Sequence, residues 1–550
     1  MASRAILRWA ICWVAAMFTV VVGATPPHLE KQGTSMRLMV QGQPMLVLGG
    51  ELANSSASSE SYMAPHWSRL KQLHLNTVVT PVYWELLEPE EGHFDWKSVD
   101  ALLKNARAND LKLVLLWFGT WKNSMSTYVP AWVKRNPERF PRAQLPDGEG
   151  LDILSPLGPA TRDADAHAFA ALMGHLRAVD ADKNTVLMVQ VENEVGMLPV
   201  ARDYSPEATR QFQEQVPAEL VRALQKEVDP ADALHSLWQE HGSKTVGDWA
   251  TLFGPNDAAA EAFTAWCTAR FVESVTAAGK SIYPLPMYVN TALNRPNKAP
   301  GEYPSGGPLP QLFTIWKTAA PSLDLLAPDI YFPDFVERAS QYVRPDNPLF
   351  IPEANNADKP EVPANAFFAF GKLNAIGFSP FSIDSFDSMD EHQPSALARA
   401  YSVLEQLSPA ILANAGLGRM SGFRPRVLFD GTVIDTAVTE TIGDYRFTVS
   451  FIDPWTPQKD QNTATHGGLI IQVGPEDYLI AGQGITVTFK PTGEGPSLAG
   501  IDSAWEGHFD AHGAWVPGRL LNGDQTHQGR HIRLAPGEFQ IQRVRLYRYR

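Results

Sequence analysis

Cysteine is nearly absent: the 550-residue chain has two, Cys12 and Cys267. Cys12 falls in an N-terminal apolar stretch that reads as a targeting segment. Cys267 is then the one cysteine left, and an intrachain disulfide is excluded. Paired ligand motifs are missing as well. There is no His-x-x-His, no Cys-x-x-Cys and no tight His/Asp cluster, which argues against a metal hydrolase. Neither a Gly-rich phosphate loop nor a Gly-x-Ser-x-Gly nucleophile elbow occurs. Positive charge is in deficit, with 46 Lys and Arg against 60 Asp and Glu and a formal net charge of -14. Such a chain has no general attraction for nucleic acid or anionic lipid. No repeat or low-complexity tract interrupts it. No cofactor and no metal are expected.

There is one long apolar run. Arg4 and Arg8 precede Trp9–Val22, and the small-residue sequence VGA ends at Ala24. This is the pattern of a secretory signal cleaved near Ala24. A membrane anchor is the alternative, but the run is too short to span comfortably. A secreted or periplasmic protein with no remaining membrane segment is expected. Nothing in the sequence sets the oligomeric state.

From about residue 38 to 410, β-rich apolar runs alternate with helical patterns. The runs are Pro44–Leu52, Asn76–Trp84, Leu111–Phe118, Thr185–Glu194, Pro286–Leu293, Leu323–Tyr331, Pro348–Asn355 and Ala375–Asp384. Near-continuous apolar strands separated by helices indicate a parallel sheet covered on both faces. Eight such units predict a (β/α)₈ barrel. The stretch from Pro199 to Lys280 is longer than one crossover needs and predicts inserted helices. After about Ala415 the pattern changes to period two with turn residues between, as in YRFTVSFID and GGLIIQVG, which predicts a smaller antiparallel β-sandwich. The expected division is a signal at 1–24, the barrel at 25–415 and the β-domain at 416–550. The basic tail RVRLYRYR alternates like an edge strand protected by charge. Trp455, Trp505 and Trp515 form either a sugar platform or a core, and a packing role for the domain is favoured.

A barrel places reactive groups at the carboxyl ends of its strands. Those ends carry Glu51, Tyr83 to Glu85, Trp117 to Trp121, and Glu192, Asn193 and Glu194. Further round come Asn290, Asp329, Tyr331, Glu353, Asn355, Asp384 and Asp387. Two carboxylates across an aromatic cleft meet the need of glycosidic-bond cleavage: one acid for the leaving oxygen, one nucleophile or base. Rings offer flat apolar faces to sugar CH groups, and amides and carboxylates bind hydroxyls. Glu192 and Glu194 lie two apart, so strand alternation predicts that both face the same way and does not choose between them. A buried structural carboxylate is an equally good account of either one.

VQVENEVG (Val189–Gly196) and WELLEPEEGHFDW (Trp84–Trp96) resemble glycoside hydrolase family 35, the β-galactosidases, and in particular a bacterial branch that carries a C-terminal β-domain and includes xyloglucan-active members. The resemblance implies a retaining exo-acting β-galactosidase with Glu194 as acid/base, Glu353 as nucleophile, Asn193 against the sugar 2-hydroxyl and Glu192 in a supporting role. Several positions depart from the pattern: Val195, Pro81, Tyr83 and Leu87 differ, and a galactose-holding Ala-Glu pair aligns with Gly119-Thr120. Trp121, Lys122 and Asn123 are then expected to take over the sugar contacts, with Glu51 and Tyr331 completing the lining. The alternatives are the same mechanism on another sugar, or an inactive carbohydrate-binding protein.

Overall fold

The computed structural model describes residues 25–226, 233–385, 389–390 and 393–550. The expected signal and Asp387 lie outside the described residues. All eight apolar runs become parallel strands: β1 Val47–Glu51, β2 Thr77–Tyr83, β3 Lys112–Lys122, β4 Val186–Asn193, β5 Met287–Ala292, β6 Leu325–Asp329, β7 Phe350–Ile351 and β8 Gly377–Phe378. Their spatial order is β6-β5-β4-β3-β2-β1-β8-β7. The ring closes between β6 and β7 through a parallel bridge from Asp329 to Glu353. Barrel strands are buried on both faces, so runs such as TVVTPVY can be apolar throughout; every residue of β2 is buried.

The outer layer includes helices Pro159–Asp180, Asp257–Ile282, Val362–Gly371 and Ala396–Asn414. The predicted insertion after β4 consists of short helices such as Pro206–Phe212 and Ala218–Gln225, followed by the 26-residue Asp257–Ile282. That helix begins where Asn256 Oδ1 accepts from the Ala258 and Ala259 N–H groups, a side-chain N-cap. Cys267 is buried within it, and burial pushes its thiol up. No described helix is long and apolar enough to cross a membrane.

Antiparallel strands follow the last barrel helix in a six-stranded and a four-stranded sheet. The core between them contains Phe447, Ile470, Tyr478, Val487 and Val544. The larger sheet also packs on the barrel: Leu469, Ile471, Leu479, Ala481 and Ile541 belong to the barrel's own apolar core. The basic tail departs from expectation. Gln540–Tyr549 is an inner strand, paired to Asp477–Gln483 on one side and to Leu498–Phe509 on the other. Its alternation arises because Val544 and Leu546 enter the sandwich core while Arg543 and Arg545 take the other face. None of the three tryptophans joins the sandwich core; Trp455 is 58% exposed.

Candidate active site

The third strand determines what lines the barrel mouth beside Glu194. Trp117 pairs with Val191 and Lys122 with Asn193, so residues 118–121 bulge out against Glu192 alone. The bulge turns Thr120 toward the helix Pro159–Asp180. There Asp165 accepts from Trp117 Nε1 (2.8 Å), Thr120 N (2.9 Å) and Thr120 Oγ1 (2.5 Å). Glu192 accepts from the Trp121 N–H at 2.7 Å. A side chain at Gly119 would meet Trp117 Nε1 at 2.3 Å and Glu192 Oε1 at 2.8 Å, so the bulge needs glycine there. Gly119-Thr120 therefore packs outward and offers no sugar contact.

Two expectations change here. Trp121 does not reach the carboxylates: its ring lies on Phe271 at 4.5 Å and its Nε1 donates to the Leu154 carbonyl at 3.1 Å. Nor do Glu192 and Glu194 share an environment. Both adopt left-handed backbone, φ +63° and +44°, which breaks simple alternation and costs on the order of 1 kcal/mol or more at each. Glu192 is engaged by Asp165 and the bulge, and burial beside Asp165 holds its carboxyl well above the usual range. Glu194 instead turns its carboxylate to those of Asp329 and Glu353.

Around Glu194 the structure gathers eight more of the candidate residues. Asn123 Nδ2 donates to Glu194 Oε2, and Lys122 Nζ stands 4.0 Å from the same oxygen. The Glu194 N–H donates to Asn290 Oδ1 at 2.9 Å, and the Asn290 amide donates to Asp329 Oδ2 at 2.7 Å. One carboxylate oxygen each of Glu194, Asp329 and Glu353 lie within 4.8 Å of one another. Tyr331 donates its hydroxyl to Glu353 Oε2 at 2.6 Å. Glu51 is 1% exposed, and the neighbouring Glu353 pushes its carboxyl further up than burial alone. Asn193 is fully buried with both amide atoms unpartnered. Asp384 is not part of the group: it accepts from the Ala53 N–H and the Ser56 hydroxyl.

Four buried carboxyls thus share one ammonium, and their protonation follows from that. Burial, then the neighbouring Glu353, pushes Glu51 and Asp329 well above the usual carboxylate range. The protonated form of each is thereby favoured beside Glu353 and Glu194. Glu194 is raised to about 7 by burial and by Glu353, against the opposing pull of Lys122. A triad of carboxylate oxygens at this spacing can hold a cation; the Lys122 ammonium already supplies one positive charge beside Glu194.

Sequence reasoning gave Asp329 and Asn290 as strand ends without a role, and it missed Asp165. A signal existed for the last: an aspartate on the buried side of an alanine-rich helix, where an unpaired charge is not tolerated.

A closed parallel barrel with a carboxylate cluster at the carboxyl ends of its strands has the paired acid and nucleophile that glycosidic-bond cleavage requires. Residues 56–268 match the Glyco_hydro_42 family model, described as "Beta-galactosidase". Residues 397–533 match a model described as "Domain of unknown function (DUF5597)". The family model matched is thus family 42, where the sequence motifs resemble family 35. A β-galactosidase of Xanthomonas manihotis is 28% identical over 196 residues, covering 33% of this chain and 29% of the relative's length. The chain thus spans under a third of that curated relative. Among solved structures, the β-galactosidase of Bacillus circulans sp. alkalophilus aligns at 16% identity, TM-score 0.45, over 67% of this chain and 57% of its own. That of the psychrophilic Marinomonas ef1 aligns at 14% identity, TM-score 0.45, over 68% and 61%. The catalytic domain of a Paenibacillus polymyxa β-amylase aligns at 14%, TM-score 0.44, over 67% and 98%.

Proposed function

We propose that the chain is a retaining β-galactosidase that removes terminal β-D-galactosyl groups by double displacement. Supporting the sugar are the family 42 match across Glu194 and the Xanthomonas relative's name; the resemblance of the strand-4 motif to family 35 belongs to the same reading. The observation that carries the mechanism is the Glu194–Glu353 pair, with oxygens within 4.8 Å and Glu194 raised to about 7. Retaining enzymes hold their carboxyl groups about 5–5.5 Å apart, inverting ones about 6.5 Å or more. Glu353 attacks the anomeric carbon; the glycosidic C–O bond breaks and the leaving oxygen takes the Glu194 proton. Water then adds to the anomeric carbon, yielding a proton to Glu194 and releasing Glu353. Asn193 offers two unpartnered amide atoms for the 2-hydroxyl. Lys122 and Asn123 tune Glu194 and border the sugar; Tyr331 and Glu51 steady Glu353. Galactosyl side chains of plant xyloglucan are the natural substrate in this reading, met outside the cytoplasm after loss of the N-terminal segment. The test is Glu194→Ala with an activated aryl galactoside: azide restores turnover and gives the β-galactosyl azide. Absence of rescue removes Glu194 from the acid/base role.

A further inference from the structure

The six-stranded sheet of the C-terminal domain has one face that changes character along its length. Three cross-strand rungs show it. Ala481, Ile541 and Gly507 lie in register, then Leu479, Arg543 and Trp505, then Asp477, Arg545 and Ser503. Neighbours on a rung point to the same face. At the first rung this face is the domain interface, since Ala481 and Ile541 are part of the barrel core, and Leu479 of the second rung still belongs to it. Beyond it, the same face leaves the barrel and opens as a groove of about 310 Å³. Its lining includes Trp505, Trp515, Asp477, Ser503, Arg543 and Arg545.

Trp515 is held as a platform. A side chain at Gly507 would meet the Trp515 six-membered ring at 2.6 Å, so the indole lies directly over bare backbone. Phe509 braces it edge-on, with ring centroids 5.2 Å apart and planes at 65°. Both indoles are half-buried, which fixes them in place while leaving apolar surface to the groove. The polar wall is equally set. Arg543 grips Asp477 through two nitrogens, the shortest contact 2.6 Å, and that pair is nearly neutral. Arg545 is exposed and enters no ion pair among the described residues. Flat apolar faces bounded by fixed hydrogen-bonding groups suit a sugar ring, whose CH faces are apolar and whose edge is ringed by hydroxyls.

We propose that this groove is a second carbohydrate site: it binds the backbone of a β-linked polysaccharide without cleaving it, with sugar rings on Trp505 and Trp515 and hydroxyls on Arg545, Asp477 and Ser503. The choice of a polysaccharide rests on the galactosidase reading above, since it is the polymer whose side groups the barrel trims. Binding there is to polymers, so the gain in turnover appears on polymers and not on small galactosides.

The test is affinity electrophoresis of the full chain in native gels containing xyloglucan, hydroxyethylcellulose or β-1,4-galactan. Saturating galactose is present throughout to occupy the barrel. Retardation by at least one polymer is expected, weakened tenfold or more in Trp505→Ala and in Trp515→Ala. Hydrolysis of 4-nitrophenyl β-galactoside is expected to stay within twofold of the parent in both, which also reports that they fold. If Trp515→Ala misfolds, Trp505→Ala decides alone. No retardation of the parent, or equal retardation of a folded variant, overturns the proposal. A chain that is retarded but hydrolyses no galactoside keeps the groove and removes the galactosidase reading instead.

Discussion

The Ile330 N–H donates to the backbone carbonyl of Glu353 at 2.8 Å, and this contact closes the barrel. The candidate nucleophile is thus part of the closing bridge, not a passenger on a loop. β7 is only Phe350–Ile351, so the bridge fixes the backbone just where a strand two residues long would otherwise let it wander. Its carboxylate is then oriented by side chains, Tyr331 on one oxygen and Glu51 nearby.

Removing the Tyr331 hydroxyl tests that orientation. Hydrogen bonds to charged groups contribute about 1.5–3 kcal/mol, so Tyr331→Phe is expected to lower kcat/KM for an aryl galactoside by roughly 10- to 100-fold. The ring still packs against Phe381, so the unfolding midpoint should stay close to the parent. A variant that loses stability along with activity would show that the tyrosine supports the fold instead.

The acid proton on Glu194 sets the alkaline limb of activity. Its carboxyl is raised to about 7, and the protonated form is the one that works, so kcat/KM falls as pH rises through about 7. Lys122 favours the ionised form from 4.0 Å. Lys122→Met is therefore expected to move this limb upward, by about one to two pH units. A downward shift in the pH profile, or none, contradicts the assignment.

Stability carries its own pH signature. Glu51, Glu192, Asp165 and Asp329 are all raised by burial. The folded chain keeps these protons while the unfolded chain releases them above roughly pH 4. Their contribution is complete below that pH and is lost as pH rises through the raised folded values. The denaturant midpoint is expected to fall as pH rises above roughly 4 to 5. Glu192→Gln keeps an acceptor for the Trp121 N–H and cannot titrate, so the slope should flatten in that variant.

Truncation after Ala415 removes Leu469, Ile471, Leu479 and Ile541 from the barrel's core. Each large apolar side chain contributes about 1.5–3 kcal/mol by burial, against a total stability of about 5–15 kcal/mol. The truncated chain is expected to be insoluble, and recovery of a soluble, active barrel domain in a centrifugation assay would contradict this.

Much of the fold was legible because barrel strands leave a simple trace: Thr77–Tyr83 is buried on both faces and reads as apolar throughout. The strand ends then offered Glu194, Glu353, Asn193 and Tyr331, and the family resemblance added Lys122. What the sequence concealed depends on local departures from regular strand geometry. Two left-handed glutamates separated Glu192 from Glu194, and a bulge turned Trp121 outward. The tail strand misled for a different reason: Arg543 reads as a charge guarding an edge until Asp477, 66 residues away, is seen to pair with it.

The most direct test of the two-glutamate pair is to trap the covalent intermediate. Incubation with 2-deoxy-2-fluoro-β-galactosyl fluoride, followed by proteolysis and mass spectrometry, reads which side chain carries the sugar. The expected result is one fluorogalactosyl adduct on Glu353. An adduct on Glu51, Glu194 or Asp329, or inactivation-free turnover with inverted product, would contradict it.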